Sequence, residues 1–488
     1  MNNQPNFVYF VADQMRADAL HHFGNQASIT PNLDALSQEG VSFRNAYCQN
    51  PVCVPSRNSF LSGLYPHTTG HRTMHFLQGD DDPNILKVMK ASGYEVIWIG
   101  RNDVVPANKS KIVYCDEFYD GNSFENQVNE LLPVSPTTYG VIPEIGPDLY
   151  SFYVGLGDEN SGFLKYDWIC LQNALNYLER KAKSDDKKPF FLYITLTFPH
   201  PPYACEEPWY SSIDRSKLPL RRPDVRTLKD KPSMLHQIAS KQGLEVWDEA
   251  KFDELRATYL AMTSRFDYQY GVLVSKLKEL NFYDESNIFV FSDHGDYTTD
   301  YGVAEKAQNL FHDPVCNVPL LVKPSKHFDV KPGVSNALVE LADLSATVAE
   351  MASIELPYTQ FGKSLVDAIS GSSFHKDAVI CEGGRIHGEK QAMELGHKES
   401  SPYWPRLSTQ YSEGPEHGKA IMIRMGNQKY TFRLYEKDEL YDLEKDPFEL
   451  KNVIGDPEYK ESIQRLKDRL LELMVETGDF VPNRRDKR

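Results

Sequence analysis

Four short apolar runs, each closing on a polar or charged residue, constrain this chain more than any other feature. Residues 6–12, 94–99, 189–198 and 287–292 are dense in aliphatic, β-branched and aromatic side chains. A strand buried on both faces reads this way, and such strands belong to parallel sheets covered by helices. The runs close on Asp13-Gln14, Gly100-Arg101, Pro199-His200 and Asp293-His294. Open α/β sheets build their sites just beyond the carboxyl ends of their strands. Taken singly, each of these polar ends reads as a solvated or hydrogen-bonded turn; together they outline a site.

Helical patterns lie between the runs. Thr30-Pro31 has the form of an N-cap followed by proline at the first helical position, opening a helix through Leu36 that stops near Gly40. Residues 83–91, 163–183, 251–280 and 338–352 read as further helices, and 41–47 and 318–322 as further strands. Residues 104–160 and 204–250 are interrupted by Pro, Gly, Asn and charge, and read as surface excursions around a cleft rather than core. Past residue 370 the texture changes to short strands at 378–381, 420–423 and 430–433, then a helix over 457–476. The expected fold is an α/β sandwich with a large, mostly parallel sheet flanked by helices over 1–370. A small C-terminal α+β subdomain over 371–488 completes it.

A net charge of −16 over 488 residues argues against general nucleic-acid binding, which needs a basic face. It leaves room for an anionic substrate in a locally positive cleft. The seven cysteines, Cys48, Cys53, Cys115, Cys170, Cys205, Cys316 and Cys381, are dispersed without CxxC pairs, which reads as reduced thiols rather than a disulfide framework. No basic, apolar leader precedes the first strand and no apolar run reaches membrane-spanning length, so a cytoplasmic protein without a membrane partner is expected.

The stretch Pro51-Val52-Cys53-Val54-Pro55-Ser56-Arg57, followed by Leu61-Ser62-Gly63, places a single cysteine between a turn and a helix start. The prolines stiffen the approach, and Arg57 offers a permanently charged planar fork suited to an oxyanion. A thiol at a helix N-terminus also sits where the dipole favours negative charge. An isolated cysteine here would read as structural. Cys-x-Pro-Ser-Arg with a downstream Leu-x-Gly, however, resembles the signature of the type I sulfatases of the alkaline phosphatase superfamily. The resemblance runs from Asn6 to about Asp446, and Glu439 to Pro447 is similar to that family's C-terminal signature.

The resemblance implies that Cys53 is oxidised by a separate maturation enzyme to formylglycine, the catalytic residue. It implies further that Asp13, Gln14, Asp293, His294 and the modified Cys53 hold one divalent cation, Ca²⁺ by family precedent. Gln14 stands where many sulfatases carry a second Asp, and the lost charge leaves Mn²⁺ and Mg²⁺ open. In the mechanism implied by the family, the aldehyde hydrates and one hydroxyl attacks the sulfur of a sulfate ester. The second hydroxyl then expels inorganic sulfate as the aldehyde re-forms. By the same resemblance Arg57 holds the diol, while His200 and Lys306 contact the sulfate and help protonate the leaving group. Arg101 keeps the charge of a family lysine within Gly100-Arg101-Asn102-Asp103, where the family has Gly-Lys-x-His. Asp103 therefore replaces a histidine, a loss for which His67, His71 or His75 could compensate. Equally, Asp103 could read a cationic or hydroxyl-rich part of the substrate.

The expected activity is hydrolysis of a small-molecule or saccharide sulfate ester. A phosphonate monoester or phosphodiester hydrolase of the same superfamily is the rival, since the two oxyanions are nearly isosteric. A non-catalytic binder of sulfated glycans or small anions is a third reading, against which the intact catalytic set stands. Residues 104–160, 204–250 and 385–418, with Arg385, His387, His397 and Trp404, are the candidates for the leaving-group pocket. A homo-oligomer is compatible with the exposed edge of the C-terminal sheet.

Overall fold

The computed structural model describes residues 4–122 and 148–481. Its strands in chain order are β1 Asn6–Asp13, β2 Val41–Tyr47, β3 Glu95–Gly100, β4 Glu117–Tyr119, β5 Tyr153–Leu156, β6 Phe190–Pro199 and β7 Tyr203–Cys205. They continue as β8 Ser286–Ser292, β9 Leu320–Lys323, β10 Gly333–Glu340, β11 Val379–Gly383, β12 Ala420–Met425, β13 Gln428–Arg433 and β14 Glu439–Asp442. Eight of them form the large sheet in the order β10-β2-β9-β8-β1-β6-β3-β4. Among the described residues β9 is the one strand of this sheet that runs against its neighbours.

The alternation of β1 explains the sandwich. Phe7, Tyr9 and Val11 enter one core with the helices Cys53–Ser62, Ile85–Ala91 and Asp343–Met351. Val8, Phe10 and Ala12 enter the opposite core with Pro31–Glu39, Gly162–Lys183 and Glu249–Glu279. Successive side chains of a strand point to opposite faces, so an unbroken apolar run requires a helical layer on each side. The Tyr9 ring meets Phe191, Phe289 and Phe291 edge-on at centroid distances of 5.0, 5.2 and 5.2 Å. These contacts lock β1 to both neighbours, and each fully buried aromatic contributes about 2–3 kcal/mol.

β1 lies between β8 and β6, and β3 lies beyond β6, all parallel. The carboxyl ends of these strands therefore share one rim, which brings Asp13, Asp293, His200 and Arg101 together across 280 residues of sequence separation between Asp13 and Asp293.

The helix Pro31–Glu39 begins where expected, but Thr30 makes no capping bond. Asp267, from the neighbouring long helix, accepts from Asn32 N at 3.2 Å and Leu33 N at 2.7 Å instead. A carboxylate satisfies the orphan donors of a helix start whichever chain segment supplies it.

Three expectations are corrected. Residues 338–340 belong to β10, paired with β2, and the helix starts only at Asp343; the stretch Ala337 to Leu341, apolar but for Glu340, suits a half-buried strand as well as a helix. Residues 204–250 contribute core, since Val225, Met234, Leu235, Ile238 and Ala239 pack with Tyr297, Tyr301 and Val303. In the 104–160 region, Val104, Val105, Tyr114 and Cys115 are buried and β4 adds an edge strand; residues 123–147 lie outside the described set. The C-terminal strands β11 to β14 form an antiparallel sheet crossed by the helix Lys460–Glu476, while Val379, Cys381 and Met422 join the large core. Among the described residues no helix is long and apolar enough to cross a membrane.

Gly100 shows how tightly the fold aims the site. Its φ is +96°, and a Cβ there would sit 2.0 Å from the carbonyl oxygen of Thr195 on β6. Gly100→Ala must strain the backbone and push β3 off β6, carrying Arg101 away from Asp13. The expected cost is about 2–4 kcal/mol, read as a lower urea midpoint with an unchanged slope; an unaltered midpoint would contradict this account.

Candidate active site

The site is a buried electrostatic network at the rim of the sheet. Cys53 opens the helix Cys53–Ser62, and Arg57 follows one turn later on the same face. Arg57 donates through Nε to Asp293 Oδ2 and through Nη2 to Asp13 Oδ2, both at 2.9 Å. Arg101 donates from Nη1 to the same Asp13 oxygen at 2.6 Å. Arg57, Asp13 and Asp293 are completely buried, so each charge depends on these partners. Burial alone would raise the pKa of Asp13, but Arg101, then His200, Arg57 and His294, outweigh it and hold the carboxyl far below the usual range.

The other oxygen of Asp13 faces Cys53, whose Sγ lies 3.7 Å away. His294 Nε2 lies 3.2 Å from the same sulfur and 3.6 Å from Oδ1 of both Asp13 and Asp293. His294 Nδ1 sits 2.9 Å from the Gly295 carbonyl, which makes Nδ1 the donor and leaves the Nε2 lone pair directed at the cluster. Ligand atoms of Asp13, Cys53, Asp293 and His294 all lie within 4.8 Å of one another, and all four residues are buried. Two carboxylates and an imidazole in the correct tautomer fit a divalent cation, with oxygen donors suiting Ca²⁺, Mg²⁺ or Mn²⁺.

Gln14 leaves β1 in the left-handed region, with φ of +72°. Its amide oxygen accepts from Lys306 Nζ and its Nε2 donates to Asp296. The side chain thus ties Asp296 to Lys306, and only its carbonyl oxygen has the chemistry to meet a cation. Lys306 is 3.0 Å from Glu305 Oε1. Burial works to lower the lysine pKa, but Cys53, Glu305 and Asp13 more than offset it, so Lys306 stays cationic. His200 behaves oppositely. Burial first, and Lys306 next, hold its pKa well below that of a free imidazole, and its Nδ1 sits 2.6 Å from the Pro201 carbonyl. His200 is therefore neutral at pH 7, with Nε2 as the acceptor.

The thiol departs from the sequence-based expectation. Cys53 does stand at the helix N-terminus, but burial, followed by repulsion from Asp13, pushes its pKa well above that of a free cysteine. Desolvation and a nearby carboxylate outweigh the helix dipole, whose effect is about 1 kcal/mol. As a plain cysteine the residue is a protonated and weak nucleophile.

Asp103 lies with its Oδ2 2.7 Å from Arg101 Nε and 3.8 Å from Arg57 Nε. Its carboxylate is thus ion-paired with Arg101 and within ion-pair reach of Arg57. His67 is engaged by Glu382 and Thr477, and His71 by Phe76 and Asp82. Arg385 is tied to Gln410, Ser412 and Glu413, and His387 stacks on Tyr435. His397 and Trp404 pack beside Tyr403 and Tyr411.

Sequence reasoning missed Asp296, Tyr203, Glu305 and Arg406. The Tyr203 hydroxyl donates to Asp296 at 2.8 Å and accepts from Glu305 N at 3.0 Å. Glu305, in the left-handed region at φ +71°, is 3.3 Å from Arg406 Nε, and Arg406 donates to Glu394 at 2.8 Å. Asp296 was visible in Asp293-His294-Gly295-Asp296; Arg406, a hundred residues from Lys306, left no local signal.

Residues 5–354 match the model of the sulfatase family. The arylsulfatase of Clostridium perfringens is 25% identical, covering 96% of this chain and 94% of its own. The multifunctional alkaline phosphatase superfamily protein PehA of Trinickia caryophylli is also 25% identical, over 97% of this chain and 96% of that protein. The crystal structure of the phosphonate monoester hydrolase of Agrobacterium radiobacter superposes with a TM-score of 0.74 at 19% identity, covering 97% of this chain and 96% of that one. At that identity the superposition speaks for the fold. The family match across the catalytic sheet and the buried Asp13, Cys53, Asp293 and His294 cluster lead to one conclusion: the chain belongs to the sulfatase family.

Proposed function

We propose that this protein hydrolyses a sulfate ester to an alcohol and inorganic sulfate, using formylglycine derived from Cys53 and one divalent cation. The observation that carries this reading is the position of Cys53. It is a buried, protonated thiol placed against a carboxylate pair, an imidazole and the cationic groups of Arg57, Arg101 and Lys306. A thiol so placed is a poor catalyst by itself, whereas an aldehyde at the same carbon gains from every neighbour.

Asp13, Asp293, His294 and the residue 53 side chain would hold the cation, with the Gln14 carbonyl beside them. Such a cation supplies charge neutralisation and makes a hydroxyl at residue 53 more acidic. The protein's own groups do the rest. Arg57 and Arg101, anchored on Asp13, would hold positive charge beside residue 53 for an oxyanion bound there. Asp103 fixes the planes of both forks. Lys306 remains protonated and His200 neutral, so Lys306 is the group that can donate to the departing alkoxide, while His200 accepts a hydrogen bond at Nε2. The burial of this set excludes bulk water and strengthens each interaction.

The rival reading, hydrolysis of a phosphonate monoester or phosphodiester, is supported by the Gln14 amide and by likeness to a relative named for multiple activities. Turnover of an aryl sulfate and an aryl phosphonate monoester on one metal-replete preparation separates the two. The sulfatase reading expects kcat/KM to favour sulfate by about tenfold or more. It also expects loss of turnover with a chelator and recovery on adding back one of Ca²⁺, Mn²⁺ or Mg²⁺. A preference for the phosphonate would transfer the assignment to the rival.

The role of Lys306 is tested by leaving group. Lys306→Ala should lower kcat by about 10²–10⁴-fold on an alkyl sulfate, whose alkoxide needs a proton, and far less on nitrophenyl sulfate. Equal losses on both esters would assign Lys306 to sulfate binding alone.

A further inference from the structure

A cavity of about 210 Å³ lies beside the catalytic network, lined by none of the residues assigned to it. The two share structural members. Tyr259 lines the cavity, and its hydroxyl accepts from Arg16 N at 2.9 Å and donates to the Gln14 carbonyl at 2.7 Å. Thr298 lines it as well, and its hydroxyl donates to Asp296 at 2.9 Å.

Its polar lining is unusual for a chain of net charge −16. The guanidinium groups of Arg16, Arg222 and Arg256 face only two lining carboxylates among the described residues, Asp18 and Asp300. Arg16 is nearly saturated, with Asp18, Asp300 and the Tyr297 carbonyl as partners. Arg222 is not. Its Nη1 donates to Asp300 at 2.7 Å and its Nε to the Phe448 carbonyl at 3.2 Å, while its Nη2 makes no hydrogen bond among the described residues. Arg222 is only 6% exposed; its charge is paired with Asp300 and its guanidinium lies 5.0 Å from the Phe448 ring centroid, so Nη2 is the group left without a protein acceptor among the described residues. Arg256 donates from Nη1 to Asp253 at 3.0 Å and from Nη2 to the Pro219 carbonyl, leaving Nε open among the described residues. Burial, with the charge of Arg16 adding to it, holds Arg256 below its ordinary pKa. Beside these charges the lining mixes the polar Asn25 and Thr298 with the apolar Phe23, Leu218 and Leu260, and Leu220 is 86% exposed.

We propose that this cavity is a second oxyanion site, built to take a sulfate group through Arg222 and Arg256. Two cationic side chains, each with one open N–H donor, suit an oxyanion, and the volume holds such an ion with a short organic stem against the apolar part of the lining. The choice of sulfate among oxyanions rests on the proposed hydrolase reading; the site itself rests on two N–H donors at the cavity, Arg222 Nη2 and Arg256 Nε, that make no hydrogen bond among the described residues. Two sources share the chemistry, free sulfate released by turnover and the sulfate group of an organic ester.

Equilibrium dialysis with labelled sulfate at constant ionic strength tests the proposal on the full chain carrying Lys306→Ala, which weakens capture at the catalytic centre. Saturable binding is expected, weakened about tenfold by Arg256→Gln and by Arg222→Gln and partly retained in Arg256→Lys. Thermal melts establish that each variant is folded; Arg256→Gln, whose acidic partner is half-exposed, is the variant of choice. Binding that both glutamine variants leave unchanged would overturn the site. Benzenesulfonate, which has no hydrolysable ester, separates the sources. Tighter binding than sulfate with sensitivity to Leu220→Ser assigns an organic sulfate, and weaker, insensitive binding assigns the free ion. No turnover is read, so failure of the catalytic reading cannot imitate failure here.

Discussion

The buried exchange of charge between Arg57 and Arg101 on one side and Asp13 and Asp293 on the other is the interaction on which the site depends. Removing such groups from water costs several kcal/mol per ion, and breaking one partnership leaves an uncompensated charge worth about 3–5 kcal/mol. The arrangement survives because every member has a charged partner within 3 Å. It couples two adjacent strand ends, a third strand's loop and a helix. Because Arg57 lies four residues after Cys53, anchoring the arginine also fixes where residue 53 stands.

Function follows from how this network divides protons. Lys306 is kept charged by acidic neighbours, His200 is kept neutral by burial and by that same lysine, and Cys53 is kept protonated by burial and Asp13. In the proposed hydrolysis this set would meet a transferring oxyanion and a departing alkoxide, while the protonated thiol itself is a weak nucleophile. Backbone strain marks the same place. Gln14 and Glu305 adopt left-handed conformations that cost about 1–3 kcal/mol each, and both hold Lys306.

Much of this was legible in the chain itself. Continuous apolar runs made β1, β3, β6 and β8 readable as buried parallel strands, and the polar residues that closed them fell on one rim. The helix over 338–352 failed at its start because Ala337 to Leu341 pairs with β2, and pairing is a tertiary fact that periodicity does not carry. Thr30 looked like a cap, yet Asp267 from another helix does the capping. Asp103 could not be assigned from its neighbours in sequence, since the arginines it faces are brought to it by β3 and by the helix Cys53–Ser62. Arg406 and Arg222 act on groups from distant segments and carry no local signature.

The most direct test of the central claim is the mass of the peptide spanning Cys53, taken from an active preparation alongside its turnover of an aryl sulfate. The account predicts a mass loss matching conversion of the thiol to an aldehyde, in proportion to specific activity, and loss of turnover in Cys53→Ala. An unmodified Cys53 in fully active protein, with activity surviving Cys53→Ala, would contradict it.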